Sequence, residues 1–298
     1  MLSNEHVKVA KFEENATEVF PNTDIKGGIA ILYYDKNKNF GEIGEYIPNS
    51  VLKHISTHFK KDVENSFYSI VYSGRSDLKF TDKFIEDFPQ SIEDRLSAIQ
   101  KENTGVIALS PNEEYELKSS TFEVLPYVFE EKEPENNSNY YELIGLINGK
   151  RCRKWIKKIY MIARYPEKNN INAYKVLVPE SNGSGVLGEV LSSPIVVGPG
   201  ESSTPTFISI GNFDKKENAL NVLKYIKTKL VRTLLGILKK TQHNPATVWA
   251  YIPMQDFTAK SDIDWSKPVS EIDKQLYRKY NLDDSEVAFI ESMIKPME

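Results

Sequence analysis

Apolar and polar positions along the chain change period several times, and each change predicts an element. Residues 29–34, IAILYY, make a compact apolar run behind the loop punctuation of Pro21 and Gly27-Gly28, and a weaker stretch near Val7 supplies a strand ahead of it. Asn49 or Ser50 then opens a helix that sets Val51, Leu52, Ile55 and Phe59 on one face. Residues 67–72 predict a strand, 77–100 two short amphipathic helices with Pro89 and Ser91 between them, and 106–109 another short strand. This first third reads as part of an α/β sheet with too few strands to close a core alone.

After the polar, acidic, proline-bearing loop 130–139, the period changes. Residues 141–147 are a strand, and Asn148-Gly149 behind them is the strongest short hairpin signal, because both turn positions need positive φ. The returning arm starts as a strand that sends Arg151 and Arg153 to one face. Further on, Trp155, Ile156, Ile159, Tyr160 and Ala163 also fit a helical face with Lys154, Lys157 and Lys158 opposite, and the period leaves both readings open. Strands follow at 174–178 and 206–210, separated by glycine, serine and Pro194, Pro199 and Pro205. Asp214 with Glu217 resembles a capping box at the head of one long helix, from Ala219 through Leu238 to Lys240, which Pro245 brings to a stop. A strand at 248–252 and two tail helices complete the pattern, one at 270–280 and one opened by Asp283 and Glu286 with Val287, Phe289, Ile290 and Ile294 as its stripe. The expected fold class is α+β, divided into segments 1–100, 101–255 and 256–298.

Composition adds limits. With 40% hydrophobic and 27% charged residues and a net charge of −4, the chain is an ordinary globular one and no polycation, so any nucleic-acid contact must come from a local patch. Residues 147–164, INGKRCRKWIKKIYMIAR, are such a patch: seven cations gather there and no acid occurs from 143 to 166. A phosphate backbone or bulk water would satisfy that strip. Cys152 is the one cysteine, which excludes an internal disulfide and a multi-cysteine zinc site and fits a reducing cytosol. The first residues lack a basic start followed by an apolar run, and no window approaches a membrane span, so a cytoplasmic location without membrane contact is expected.

Catalytic signatures are thin. Gly183-Ser-Gly185-Val-Leu-Gly188 matches G-x-G-x-x-G, but a dinucleotide fingerprint opens a helix, and here β-branched residues and Pro194 follow. His54 and His58 stand four apart on a predicted helix; Ile55 sits where a zincin carries Glu, and no third ligand is evident. Glu116-Leu-Lys118 supplies only the end of a nuclease motif, and no G-x-S-x-G elbow, phosphate loop or kinase set occurs. Lys224, Lys227, Arg232, Lys239 and Lys240 line the long helix, with the last two where its dipole favours cations, and Gln242 or Asn244 just beyond is suited to reach an adenine edge.

Short motifs in a fixed order give the chain a resemblance to a known family: FPNTDIKGG at 20–28, NGSG at 182–185, TFISIGNF at 206–213, TQH at 241–243, IPMQDF at 252–257 and FIE at 289–291. It resembles, over nearly its whole length, the C-terminal part of bacterial adenine-specific DNA methyltransferases of restriction-modification systems, including forms fused to an endonuclease. That resemblance implies that 20–34 closes a methyltransferase sheet, that a mixed-sheet target-recognition domain follows, and that the helical tail ends it. Family members carry upstream a glycine motif for S-adenosylmethionine and an Asn/Asp-Pro-Pro-Tyr/Phe motif for the flipped adenine. Neither stands in this sequence, since Asn244-Pro245-Ala246 lacks the second proline and the ring.

A flipped base needs a stacking, hydrogen-bonding pocket. The expectation is therefore recognition of double-stranded DNA without methyl transfer by this chain alone, with no cofactor of its own and no catalytic or metal-binding residue. Lys150, Arg151, Arg153, Lys154, Lys157 and Lys158, with Lys239 and Lys240, are expected on phosphates, and Asn182, Ser184, Gln242 and His243 on bases or in a groove. A separate methyltransferase domain or subunit is a second expected partner. Two alternatives stay open: an interaction module docked on such a subunit through the N-terminal sheet edge and the tail, and a restriction endonuclease.

Overall fold

The computed structural model describes residues 1–13, 15–23, 28–59, 62, 64–183, 187–188, 191–239 and 241–297. The chain opens with an antiparallel hairpin of β1 (Val7–Glu13) and β2 (Ile29–Tyr34), whose register slips between Val9 and Lys11. Helix α1 (Ser50–Thr57) begins where Asn49 Oδ1 accepts the amide protons of Val51 and Leu52, both at 3.0 Å. The strand expected at 67–72 is mostly a 3₁₀ turn, Phe67–Ile70, because the Ser66 side chain holds the Tyr68 amide and so competes with ladder pairing. Only β3 (Val71–Tyr72) enters a sheet.

Helix α2 (Gly74–Asp77) and the unforeseen β4 (Leu78–Phe80) precede α3 (Asp82–Asp87) and α4 (Gln90–Glu102), the two amphipathic helices of the sequence pattern. Residues 106–109 form no strand, and Ile107 is 89% exposed. After α5 (Thr121–Val124) comes the hairpin of β5 (Tyr140–Ile147) and β6 (Lys150–Lys157), with Asn148 at φ 50° and Gly149 at φ 72° as the turn demands. The strand reading of the basic arm therefore prevails as far as Lys157. Short strands β7 (Met161–Ala163), β8 (Tyr174–Pro179), β9 (Ile195–Val197), β10 (Glu201–Ser203) and β11 (Phe207–Phe213) follow.

The single long helix expected after 214 is two helices, α6 (Lys216–Lys227) and α7 (Lys229–Leu238). Thr228 turns the chain out at ψ 149°, and a carboxylate from elsewhere, Asp273, accepts the Lys229 and Leu230 amide protons at 2.9 and 3.1 Å. The Asp214–Glu217 capping box does not form; Lys215 is the N-cap and gives no side-chain bond. Residues 248–252 are buried throughout, a run without usable period, and hold a 3₁₀ turn (Ala246–Trp249) in place of the expected strand. The tail helices are α8 (Val269–Lys279) and α9 (Asp284–Met293), the latter opened by the expected Asp283–Glu286 capping box.

The sheets are small: β1-β2, β10-β5-β6, β3-β11-β8-β9 and β4-β7. The architecture is mixed α+β. The larger core packs α1, α6, α7, α8 and α9 with the β3-β11-β8-β9 sheet, so residues from 47–71 and from 176–294 share it. A second core lies within 78–171, and Ile144, Leu177, Val197 and Phe207 form a third, small cluster. The segments expected at 1–100, 101–255 and 256–298 thus each contribute to the larger core. No helix among the described residues is long and apolar enough to cross a membrane.

Candidate nucleic-acid interface

Strand alternation sorts the basic arm into two faces. Lys154 points inward, 3% exposed, with Nζ 2.5 Å from Glu131 Oε1 and over the Phe122 ring. Arg153 points the other way and meets two carboxylates, Glu142 on β5 and Glu201 on β10. Arg164, at the end of the strip, pairs with Glu116 at 2.5 Å. These three cations, which a sequence reading pools into one positive surface, are neutralised by acids from distant segments, and Arg153 and Lys154 do not form the expected phosphate row.

Lys150, Arg151, Lys157 and Lys158 remain exposed and, among the described residues, make no ion pair. Lys158 lies over the Tyr141 ring at 5.4 Å. Lys157 lies six strand positions beyond Arg151, roughly 20 Å, so the four free cations mark the two ends of the hairpin arm.

Arg151 stands on the wall of a cleft of about 1090 Å³. Its Nη2 donates to the Ser193 carbonyl at 2.8 Å, and its guanidinium carbon lies 5.2 Å from the Phe207 ring centroid. Partial burial, and then the neighbouring charge of Arg153, lower its pKa. Both contacts fix the plane of the fork while leaving other N–H groups free. Across the cleft run Pro179, Glu180 and Ser181, and the bridge between Ser181 and His243 carries the 241–243 loop to the same rim. His243 Nδ1 is 3.0 Å from Glu180 Oε1, and Thr241, Gln242 and His243 are exposed.

The remaining expected contacts fare unevenly. Asn182 is 5% exposed: its Oδ1 accepts the Ser192 amide at 2.6 Å and the Ser192 hydroxyl, and its carbonyl accepts Lys239 Nζ at 2.6 Å. Asn182 and Lys239 are therefore internal anchors for the loop, which corrects their assignment to bases and phosphates. Asn244 is wholly buried, its amide donating to the Pro179 carbonyl, so it reaches no base edge either. Ser184 and Lys240 lie outside the described residues. Lys224 and Arg232 donate to the backbone carbonyls of Trp265 and Lys295 and are likewise committed within the fold.

Glu180 escaped sequence reading, having no motif around it, yet it is the acid of the cleft rim. Glu116 and Lys118 also line the cleft, but Arg164 and Glu113 hold their charges. Residues 184–186 of the glycine motif, and 189–190 after it, lie outside the described residues; the next described element is β9. On α1 and at its C-cap, His54 and His58 find a third potential ligand in Glu286, 228 residues beyond His58. Its signal was present: Glu286, Ile290 and Ile294 fall four apart on the buried side of α9, so the capping glutamate shares the buried stripe. No protein-family model matches the chain, and no curated protein is significantly similar to it.

Proposed function

We propose that the chain binds double-stranded DNA sequence-specifically, as the target-recognition region of a restriction-modification adenine methyltransferase, and transfers no methyl group alone. The cleft carries this reading: it collects Arg151 from the hairpin with Glu180 and Ser181, and Ser181 brings the 241–243 loop alongside. An arginine fork held in plane suits the O6 and N7 of guanine, a carboxylate accepts from the cytosine amino group, and Gln242 offers the amide that matches adenine. The hairpin's Lys150, Lys157 and Lys158 would position the duplex through phosphates.

The N-terminal hairpin is read, on the motif at 20–28, as the end of a methyltransferase sheet. Successive residues Ile31, Leu32, Tyr33 and Tyr34 are all exposed, so both faces of β2 present apolar surface. This supports a second partner there, a methyltransferase catalytic domain or subunit, to which S-adenosylmethionine and the transfer step belong.

The test is selection of duplexes with a randomised centre on the immobilised chain, followed by anisotropy titration. A consensus is expected, with Arg151→Ala costing about 1–3 kcal/mol at one base pair. Absence of enrichment together with a salt slope near zero would overturn the reading. A chain that shifts on size exclusion with duplex supports DNA binding; an oligomer indifferent to DNA supports docking alone.

A further inference from the structure

Two histidines one turn apart, His54 on α1 and His58 at its C-cap, face a carboxylate near the far end of the chain. His54 Nδ1 lies 2.9 Å and His58 Nε2 3.0 Å from the same atom, Glu286 Oε1, and the three potential ligand atoms all fall within 4.8 Å of one another. The Glu286 side chain is 1% exposed, and its other oxygen accepts the Asp283 amide proton at 2.8 Å. No lysine or arginine among the described residues pairs with it. A carboxylate withdrawn from water needs a compensating positive charge, and here the groups turned towards it are metal-ligating imidazoles.

We propose that His54, His58 and Glu286 bind one divalent first-row metal ion, Zn²⁺ being the ion that the donors fit best, as a staple between α1 and α9. Two imidazole nitrogens and one carboxylate oxygen are ordinary zinc ligands. Bond lengths of about 2.0–2.2 Å set tetrahedral ligand atoms roughly 3.3 Å apart. The spacings of 2.9 and 3.0 Å therefore open by a few tenths of an ångström to admit the ion. His54 is the outer ligand, its side chain 61% exposed, so the ion enters from solvent and keeps water in the fourth position.

Glu286 is already fixed by its bond to the Asp283 amide, which orients the carboxylate for the metal. The ion would balance the buried charge and tie together two helices separated by most of the chain, where closing a long loop removes much unfolded-state freedom. The site shares no residue with the cleft, and the inference does not depend on DNA recognition.

Calorimetric titration of the chelator-treated full chain with Zn²⁺, and of the same material with Co²⁺ followed by visible absorption, tests it. One ion per chain, Co²⁺ bands of tetrahedral coordination and a Zn²⁺-dependent rise in Tm are expected. His54→Ala removes the exposed ligand without opening the core: affinity should fall more than about tenfold and the metal-dependent rise in Tm should vanish. His6→Ala and His243→Ala should leave the titration unchanged. Equal affinity in parent, His54→Ala and His58→Ala, loss of binding in His243→Ala instead, or Co²⁺ uptake without tetrahedral bands would overturn the assignment.

Discussion

Arg153 lies 3.1 Å from Glu201 across the β10-β5-β6 sheet, and Glu142 on the intervening strand holds the same guanidinium nitrogen. One of the strip's two central arginines is thus spent on the sheet, while Arg151, two residues earlier, has no carboxylate partner among the described residues and reaches the cleft.

Salt dependence should separate the two. Six phosphate contacts would give an affinity slope of about −5 against log salt, whereas the three lysines left for phosphates, Lys150, Lys157 and Lys158, give about −3. Lys150→Ala and Lys157→Ala are each expected to flatten the slope by about 1. Arg153→Ala should leave it unchanged and cost at most about 1 kcal/mol of stability, because that pair is half-exposed. Anisotropy across a salt series checks all three; a flattened slope in Arg153→Ala would return that residue to the interface.

Asn182→Ala tests the internal role of a residue that the sequence pattern offered for base contact. It removes the buried acceptor of the Ser192 amide and hydroxyl, at an expected cost of about 1–3 kcal/mol. Urea unfolding measures the loss. The folded variant should keep the parent's base preference, and a changed consensus would restore Asn182 as a reader.

Local signals proved legible because the residues that satisfy them are neighbours. Asn148-Gly149 fixed its own turn, Asn49 its own helix start, and Asp283 with Glu286 its own capping box. What failed depends on partners far along the chain. The break at Thr228 is completed by Asp273, the strand β3 exists only beside β11, and the 248–252 run is buried from every side. Charge suffered most: an acid-free stretch of sequence says nothing of Glu131, Glu142 or Glu201, which the fold delivers to it. Arg151, Gln242 and His243 survive as accessible groups near one cleft, whereas Asn182, Arg153, Lys154 and Lys239 turn out to serve the fold.

Asp273 predicts an acid-side dependence of stability. Burial raises its pKa to about 6, against the Lys229 and Leu230 amide protons that favour the ionised form. A carboxyl whose folded pKa lies above its unfolded value of about 3.9 binds its proton more tightly when folded. Its contribution to stability is greatest below that unfolded value and is lost as pH rises through about 6. Asp77, raised to about 6 by burial, acts in the same direction. Denaturant midpoints between about pH 4 and 6 should fall with rising pH, and less steeply in Asp273→Asn. An unaltered slope in that variant would refute the assignment.

Lys175 gives the complementary prediction on the alkaline side. Its side chain is completely buried, with Nζ donating to the Asn170 carbonyl at 2.8 Å and to those of Ala173 and Ile171 at 3.3 and 3.4 Å. Burial lowers its pKa to about 8, with the charge of Asp77 opposing the shift. In the unfolded chain the same ammonium holds its proton to about 10.4. Between these values the unfolded state binds more protons, so stability should rise as pH increases from about 8 to 10.4, by an amount on the order of 3 kcal/mol. Lys175→Met should abolish that rise. The variant also leaves three carbonyls without their donor and Asp77 without its nearby cation, so near neutral pH it is expected to lose about 3–5 kcal/mol. Urea unfolding of both proteins at successive pH values separates the effects: the loss shows near neutrality, the missing linkage in the slope above pH 8. A variant as stable as the parent, with the same alkaline slope, would mean that Lys175 keeps its ordinary pKa in the fold and contributes no linkage.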